Sequence, residues 1–334
     1  MLDAAVCGAI FSSPNVIQIE KGLQLVQVSE GTLVIVKNYT GDMLNFGLSV
    51  EKSRSRGNNV RMVVVGDDVS IGRSNNKMVG RRGLAGTVLV HKIAGAAAAK
   101  SLSLDEVADI SQFAAENLAT IGVGLNRCDV PGQQRHMDLA LDEIELGLGI
   151  HNEPGSRRLN PQPATADLIS DMLSALLDTT DADRSYLATS PAVDKNAVVV
   201  LLINNLGGLS VLELTCLTNI VAETLQNRYE VKPHRVYCGT FLSALNGSGF
   251  SVTVLSLPAG EKSDQILSFL DAPTAAIGWT SSIPSSIWSS GAVAVEAPSK
   301  TLPVRQDEPS VVDCMWATFL TRSKDRWLTV FDRR

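Results

Sequence analysis

Apolar residues follow two spacings along this chain. The first is the short unbroken run: TLVIVKNY at 32–39, VRMVVV at 60–65 and AVVVLLI at 197–203. Runs of this length, rich in Val and Ile and closed by small polar residues, predict strands buried on both faces. Segments 235–239 and 250–257 continue the series, the latter after an Asn246-Gly247 turn. The second spacing places apolar residues three and four apart and predicts helices. It covers 43–56, with Leu44 and Leu48 as apolar positions, then 83–100, 104–122, 165–177 with Thr165 as N-cap, and 211–228. Segment 139–147 is mixed, and 156–164 reads as a polar loop.

A strand, a helix and a strand in succession predict a parallel pair, and the second half repeats the alternation. The fold class is therefore α/β: two α/β domains with largely parallel or mixed sheets covered by helices. The expected division is a first α/β domain over 1–116 and a second over 117–267. A return segment comes next at 268–280. Residues 281–334, where Ser, Pro and charges displace the pattern, read as linker or tail.

Composition narrows this picture. Of 334 residues 45% are hydrophobic and only 5% aromatic, so the cores must be aliphatic. A net charge of -6 argues against broad contact with nucleic acid or an anionic membrane. The longest strongly apolar run, 197–203, is too short to span a bilayer, and the start carries no basic leader. Five scattered cysteines without a C-x-x-C pattern read as free thiols in a reducing compartment. A cytoplasmic protein is expected. The opening MLDAAVCGAI is already apolar, with no polar leader before it. This predicts that an N-terminal piece is missing.

In open α/β sheets ligands sit beyond the carboxyl ends of strands. Three loops occupy that place: 38–42, 66–68 and 204–208. Asp42 is suited to act as a general base or hydroxyl acceptor, or else it caps the next helix. Asp67 and Asp68 read as finishing their strand and capping the next segment. His151 lies in GIHNEPG between Gly149 and Gly155, with Glu153 placed to orient it. An imidazole there serves as base or nucleophile, or makes one structural hydrogen bond. Arg81 and Arg82, in GRRGLAG, either contact an anion or form internal ion pairs. His91 reads as packed in a helix, and His136 and His234 as exposed. No histidine pair has metal-ligand spacing, and neither a phosphate loop nor a dinucleotide fingerprint occurs.

Taken in order, GTLVIVKNYTGDMLNFGL, VVVGDDVSIGRS, VGRRGLAGTVLVHKIAGA, ELGLGIHNEPG, LLINNLGGLSVLEL and GTFLSALNGSGFSVTVL resemble the substrate-binding domain of the dihydroxyacetone kinases. The resemblance covers about Met1 to Trp279. It implies a covalent hemiaminal between a small ketose and His151, with Asp42 as base on the hydroxyl that takes the phosphoryl group. Asn38, Thr40, Gly41 and Glu153 are implied as substrate-binding residues. Two family features are absent from the sequence: a GSGHEP-type segment before Met1 and a helical ATP-binding domain. The resemblance thus implies no cofactor on this chain, ATP and magnesium only through a partner subunit, no metal ligands and a homodimer. Two alternatives stand beside it. One is an ATP-independent enzyme for a larger carbonyl compound. The other is a non-catalytic binding or regulatory homologue.

Overall fold

The computed structural model describes residues 1–74, 79–133, 139–140 and 142–280. The Asn75-Asn76-Lys77 stretch, His136, Cys314 and the expected tail 281–334 lie outside the described residues.

Helix α1 (Val16–Leu25) starts at a capping box in which Asn15 and Gln18 bond each other's backbone N–H. Strand β1 (Thr32–Lys37), helix α2 (Thr40–Ser55) and strand β2 (Val60–Val65) form the expected crossover. The strands pair in parallel, Thr32 opposite Val60 through Lys37 opposite Val65. Among the described residues β1 has no second strand neighbour. Thr32 N donates to Asn59 O and Asn38 N to Val65 O, so the alternate N–H groups of Leu33, Ile35 and Lys37 face away from β2.

Helices α3 (Thr87–Ala99) and α4 (Leu104–Glu116) lead to a six-stranded sheet. Its strands are β3 (Leu118–Gly124), β4 (Ile144–Leu146), β5 (Arg157–Leu159), β6 (Val198–Asn205), β7 (Arg235–Gly239) and β8 (Gly249–Leu257). Their order is β5-β4-β3-β8-β6-β7. The β6–β7 pair is parallel, and β8 runs antiparallel to both β3 and β6, so the sheet is mixed. Helices α5 (Thr165–Leu177) and α6 (Val211–Tyr229) share one apolar cluster with this sheet. A second cluster joins β2, α3, α4 and α7 (Glu261–Asp271) to residues of β6 and β8. The expected 116/117 boundary falls between α4 and β3, although apolar side chains from both sides share that second cluster.

Several elements differ from expectation. The predicted helix 104–122 ends at Glu116, and β3 comes directly after it. Asn117 stops it, its amide donating to Phe113 O at 2.8 Å. Every position of β3 is buried, so no alternation betrays the change of period. Helix α2 begins at Thr40, which turns the expected Thr40–Asp42 loop into its first turn. Leu44 and Leu48 lie on the solvent side, 67% and 53% exposed. Met43, Phe46 and Val50 face Val34, Val36 and Val60 instead. Ala164, not Thr165, is the cap residue of α5. Asn204 and Asn205 belong to β6, and β5 occupies part of a predicted loop. Helices α1 and α7 arise where no element was expected. Lys92, only 1% exposed, closes the end of α7 by donating to Phe269 O and Ala272 O at 2.6 Å each.

Among the described residues the two sheets meet at one bridge. Thr120 N donates to Asp67 O at 2.7 Å and Val69 N to Thr120 O at 2.9 Å. The exit of β2 therefore runs beside β3, within reach of the β4–β5 connection that carries His151.

Candidate functional site

The end of β1, the first turn of α2 and the β4–β5 loop converge on one cavity of about 1410 Å³. Its wall includes Lys37, Tyr39, Asp42, His91 and His151. Thus His151 and Asp42, far apart in the chain, line the same space.

His151 is held from three sides. Its Nδ1 lies 2.8 Å from Glu153 Oε1, and its backbone N–H donates to Glu153 Oε2 at 2.8 Å. The rings of Phe11 and Tyr39 each meet the imidazole edge-on, both at 4.9 Å between centroids. Burial alone would raise the Glu153 carboxyl. The hydrogen bonds from the His151 ring and backbone outweigh it and hold Glu153 down at about 2. An ionised carboxylate only accepts, so Nδ1 carries the hydrogen, and in the neutral ring the lone pair is on Nε2. The side chain of His151 is 27% exposed and lines the cavity.

The loop itself is rigidly tied. Asn152, at φ 62, accepts from Cys128 N through its Oδ1 and donates to Cys128 O through its Nδ2, each at 3.0 Å. Arg127 donates to Asn152 O and to the buried Glu145, whose other oxygen takes the N–H of Gly155. Gly149 leaves no room for a side chain: a Cβ there would stand 2.1 Å from Glu153 Oε2.

Asp42 is the third residue of α2, half-buried, where the helix's free N–H groups favour negative charge. It is not the N-cap; Tyr39 is, and it makes no side-chain cap bond. Lys37, half-buried at the end of β1, has its ammonium pushed down by burial, with the negative charge of Asp42 acting against that push. Thr40 and Gly41 are exposed at the cavity wall. Asn38 turns elsewhere: its amide nitrogen donates to Val79 O and Arg81 O at 2.6 and 2.8 Å.

The other loops are structural. Asp67, fully buried, accepts from Leu84 N and Gly86 N and so holds the entry to α3, as a capping role predicted. Asn204 Oδ1 takes Phe241 N and Leu242 N, and Asn205 Oδ1 takes Gly207 N and Leu209 N. Arg82 pairs with Asp68, and Arg81 stacks on Tyr186 at 4.1 Å while donating to Leu118 O. The ion-pair alternative holds for Arg82. His91 is packed in α3 yet lines the cavity, where burial, aided by the charge of Lys37, lowers it to about 4. Exposed His234 behaves as predicted. Among the described residues no cluster of three or more His, Cys, Asp or Glu side chains fits a metal ion.

The Dak1 domain family matches residues 1–278. The chain belongs to that family. Dihydroxyacetone kinase 2 of Saccharomyces cerevisiae is 46% identical over 278 residues, covering 83% of this chain and 46% of the yeast protein. The chain spans about half the length of the curated relatives it matches. The dihydroxyacetone kinase of C. freundii superposes with a TM-score of 0.70 at 36% identity, over 82% of this chain and 46% of that one. The dihydroxyacetone kinase operon co-activator DhaQ superposes with a TM-score of 0.72 at 28% identity, over 80% and 78%. The family and the mixed α/β fold inferred from sequence are thereby established.

In this Dak1 domain the sequence missed Phe11, Tyr39 and Lys37 as site residues. Tyr39 had a signal, as the last residue of a strand whose carboxyl end was already suspect. Its hydroxyl is buried with no hydrogen-bond partner among the described residues. Phe11 had none, because only tertiary packing brings the N-terminal segment against the loop of His151. No helix among the described residues is long and apolar enough to cross a membrane.

Proposed function

We propose that this Dak1 domain captures a small ketose, dihydroxyacetone being the simplest, through Nε2 of His151. The observation carrying this reading is that His151, its Nδ1 committed to Glu153, lines the same cavity as Asp42. The Nε2 lone pair forms a bond to the carbonyl carbon. The π pair moves to oxygen, which takes a proton from solvent, and nothing leaves. The positive charge gained by the imidazole is offset by the Glu153 carboxylate. Asp42 accepts the proton of the substrate hydroxyl as that oxygen attacks the γ-phosphorus of ATP and ADP leaves. Thr40 and Gly41 contact the substrate from the first turn of α2, and Asn38 shapes that corner through the Val79–Arg81 backbone. A covalent tether suits a ligand too small to offer many contacts.

Phosphoryl transfer requires ATP and magnesium, supplied in this reading by a separate ATP-binding domain or partner subunit, with no cofactor held by this chain itself. The protein acts as a cytoplasmic homodimer without nucleic-acid or membrane partners. The test uses dihydroxyacetone labelled with carbon-13 at the carbonyl. The wild type converts the ketone resonance to that of a tetrahedral carbon, and His151→Ala does not. Equal behaviour of the two proteins would refute capture at His151.

Two alternatives each have an observation behind them. A volume of about 1410 Å³ exceeds the ~300–1,000 Å³ usual for small-ligand pockets and favours a larger carbonyl substrate, turned over without ATP. The likeness to a co-activator favours a regulatory homologue, in which substitutions at His151 and Asp42 leave partner binding intact.

A further inference from the structure

We infer that Arg82, with Asp68 as its counter-ion, is a positioning residue that sets the His151–Glu153 pair from behind. This rests on the reading that His151 captures a carbonyl.

Arg82 stands on the loop between β2 and α3, yet its guanidinium is spent on other segments. Its Nε and Nη2 both lie 2.7 Å from Asp68 Oδ2. Nη2 also donates to Ser70 Oγ at 3.1 Å and to Gly147 O at 2.7 Å. Asp68 is fully buried, and its Oδ1 takes both Ser70 N, at 2.9 Å, and Ser70 Oγ, at 2.6 Å. The Arg82 side chain is only 12% exposed, so this is an internal fastening and not an anion receptor on the surface.

The fastened segment is the start of the loop that carries His151. Gly147 sits at φ +77, and its N–H donates to Gly122 O of β3 at 2.7 Å. Its carbonyl is thereby aimed at the guanidinium. Two residues later the open side of Gly149 faces two charged groups. A Cβ on Gly149 would stand 2.1 Å from Glu153 Oε2 and 2.6 Å from Arg82 Nη1, so the carboxylate and the guanidinium share the space over that glycine. Gly149 N also donates to Glu153 O at 3.0 Å. The guanidinium and the Glu153 carboxylate thus lie side by side over Gly149, and the charge of Arg82 helps to hold the carboxylate there. Removing the guanidinium lets the Glu153 carboxylate drift, and His151 Nδ1 loses its fixed acceptor. A planar fork spans Asp68, Ser70 and Gly147 at once; a lysine ammonium supplies the charge without that geometry.

Arg82→Ala would leave Asp68 buried without a counter-ion, so the informative variants are Arg82→Met/Asp68→Asn and Arg82→Lys. The double change removes both charges together, and an amide oxygen still accepts from Ser70. Two readouts apply. One is the rate of adduct formation with carbonyl-labelled dihydroxyacetone as a function of pH. The other is the ring tautomer of His151 from nitrogen-15 shifts, which a purely structural role would leave unchanged. We expect capture to slow by about 10- to 100-fold in both variants, the scale of losing a supporting contact or misplacing a reacting group by about an ångström. The Nδ1–H tautomer should give way to a mixture. Wild-type capture rate and tautomer in either folded variant overturn the proposal. If the double variant fails to fold, Arg82→Lys alone decides it. If the wild type itself forms no adduct, carbonyl capture fails as a function, and the tautomer of the variants still judges the positioning role.

Discussion

Glu153→Gln removes a charge and almost nothing else, and its cost can be worked out from the geometry. The carboxylate takes two donors, the His151 ring N–H and the His151 backbone N–H, each at 2.8 Å. An amide offers one oxygen to those two donors and turns an NH₂ on the other. Glu153 falls from 4.5 to about 2 in the folded chain. At 1.36 kcal/mol per pKa unit that is about 3 kcal/mol. Because the side chain is 32% exposed, solvent screening reduces this to about 1.5 kcal/mol. The folded pKa lies below the unfolded one, so the stabilisation is fully present above 4.5 and is lost as pH falls through about 2. Denaturant unfolding of wild type and Glu153→Gln at pH 7 should therefore differ by about 1–2 kcal/mol, and the gap should close steadily below pH 4.5. A gap that stays constant through that range would show that Glu153 is not an ionised acceptor, and the assignment of the free lone pair to Nε2 would fall with it.

Two further outcomes test the packing around the site. Leu48→Ala, on the exposed face of α2, should change unfolding free energy by less than about 0.5 kcal/mol. Leu89→Ala, at 0% exposure in α3, should cost about 2–5 kcal/mol, and similar costs for the two would reverse the helix-face assignment. In hydrogen exchange, the outward N–H groups of Leu33, Ile35 and Lys37 should exchange faster than those of Val34 and Val36, which point to β2. Uniform protection along β1 would mean that its other edge is covered in solution.

The α/β class and the β1–α2–β2 crossover were legible from sequence because strands buried on both faces leave unbroken Val-rich runs. Strand β3 was not, because only Glu116 and Asn117 separate LATIGVG from the body of the helix, and both periods fit a segment buried throughout. The face of α2 was misjudged for a related reason: two leucines one turn apart suggest a core stripe, while the register of β1 and β2 selects Met43, Phe46 and Val50. His151, Glu153 and Asp42 could be nominated from loop chemistry and from resemblance, since the groups that react must be written in the chain. Their convergence could not. The bridge between Asp68 and Thr120 carries β2 alongside β3, and that contact brings a loop from the first sheet against a loop from the second. Arg82 shows the same division. Its charge is visible in GRRG, but whether it meets an anion or Asp68 depends on which carboxylate folding buries beside it.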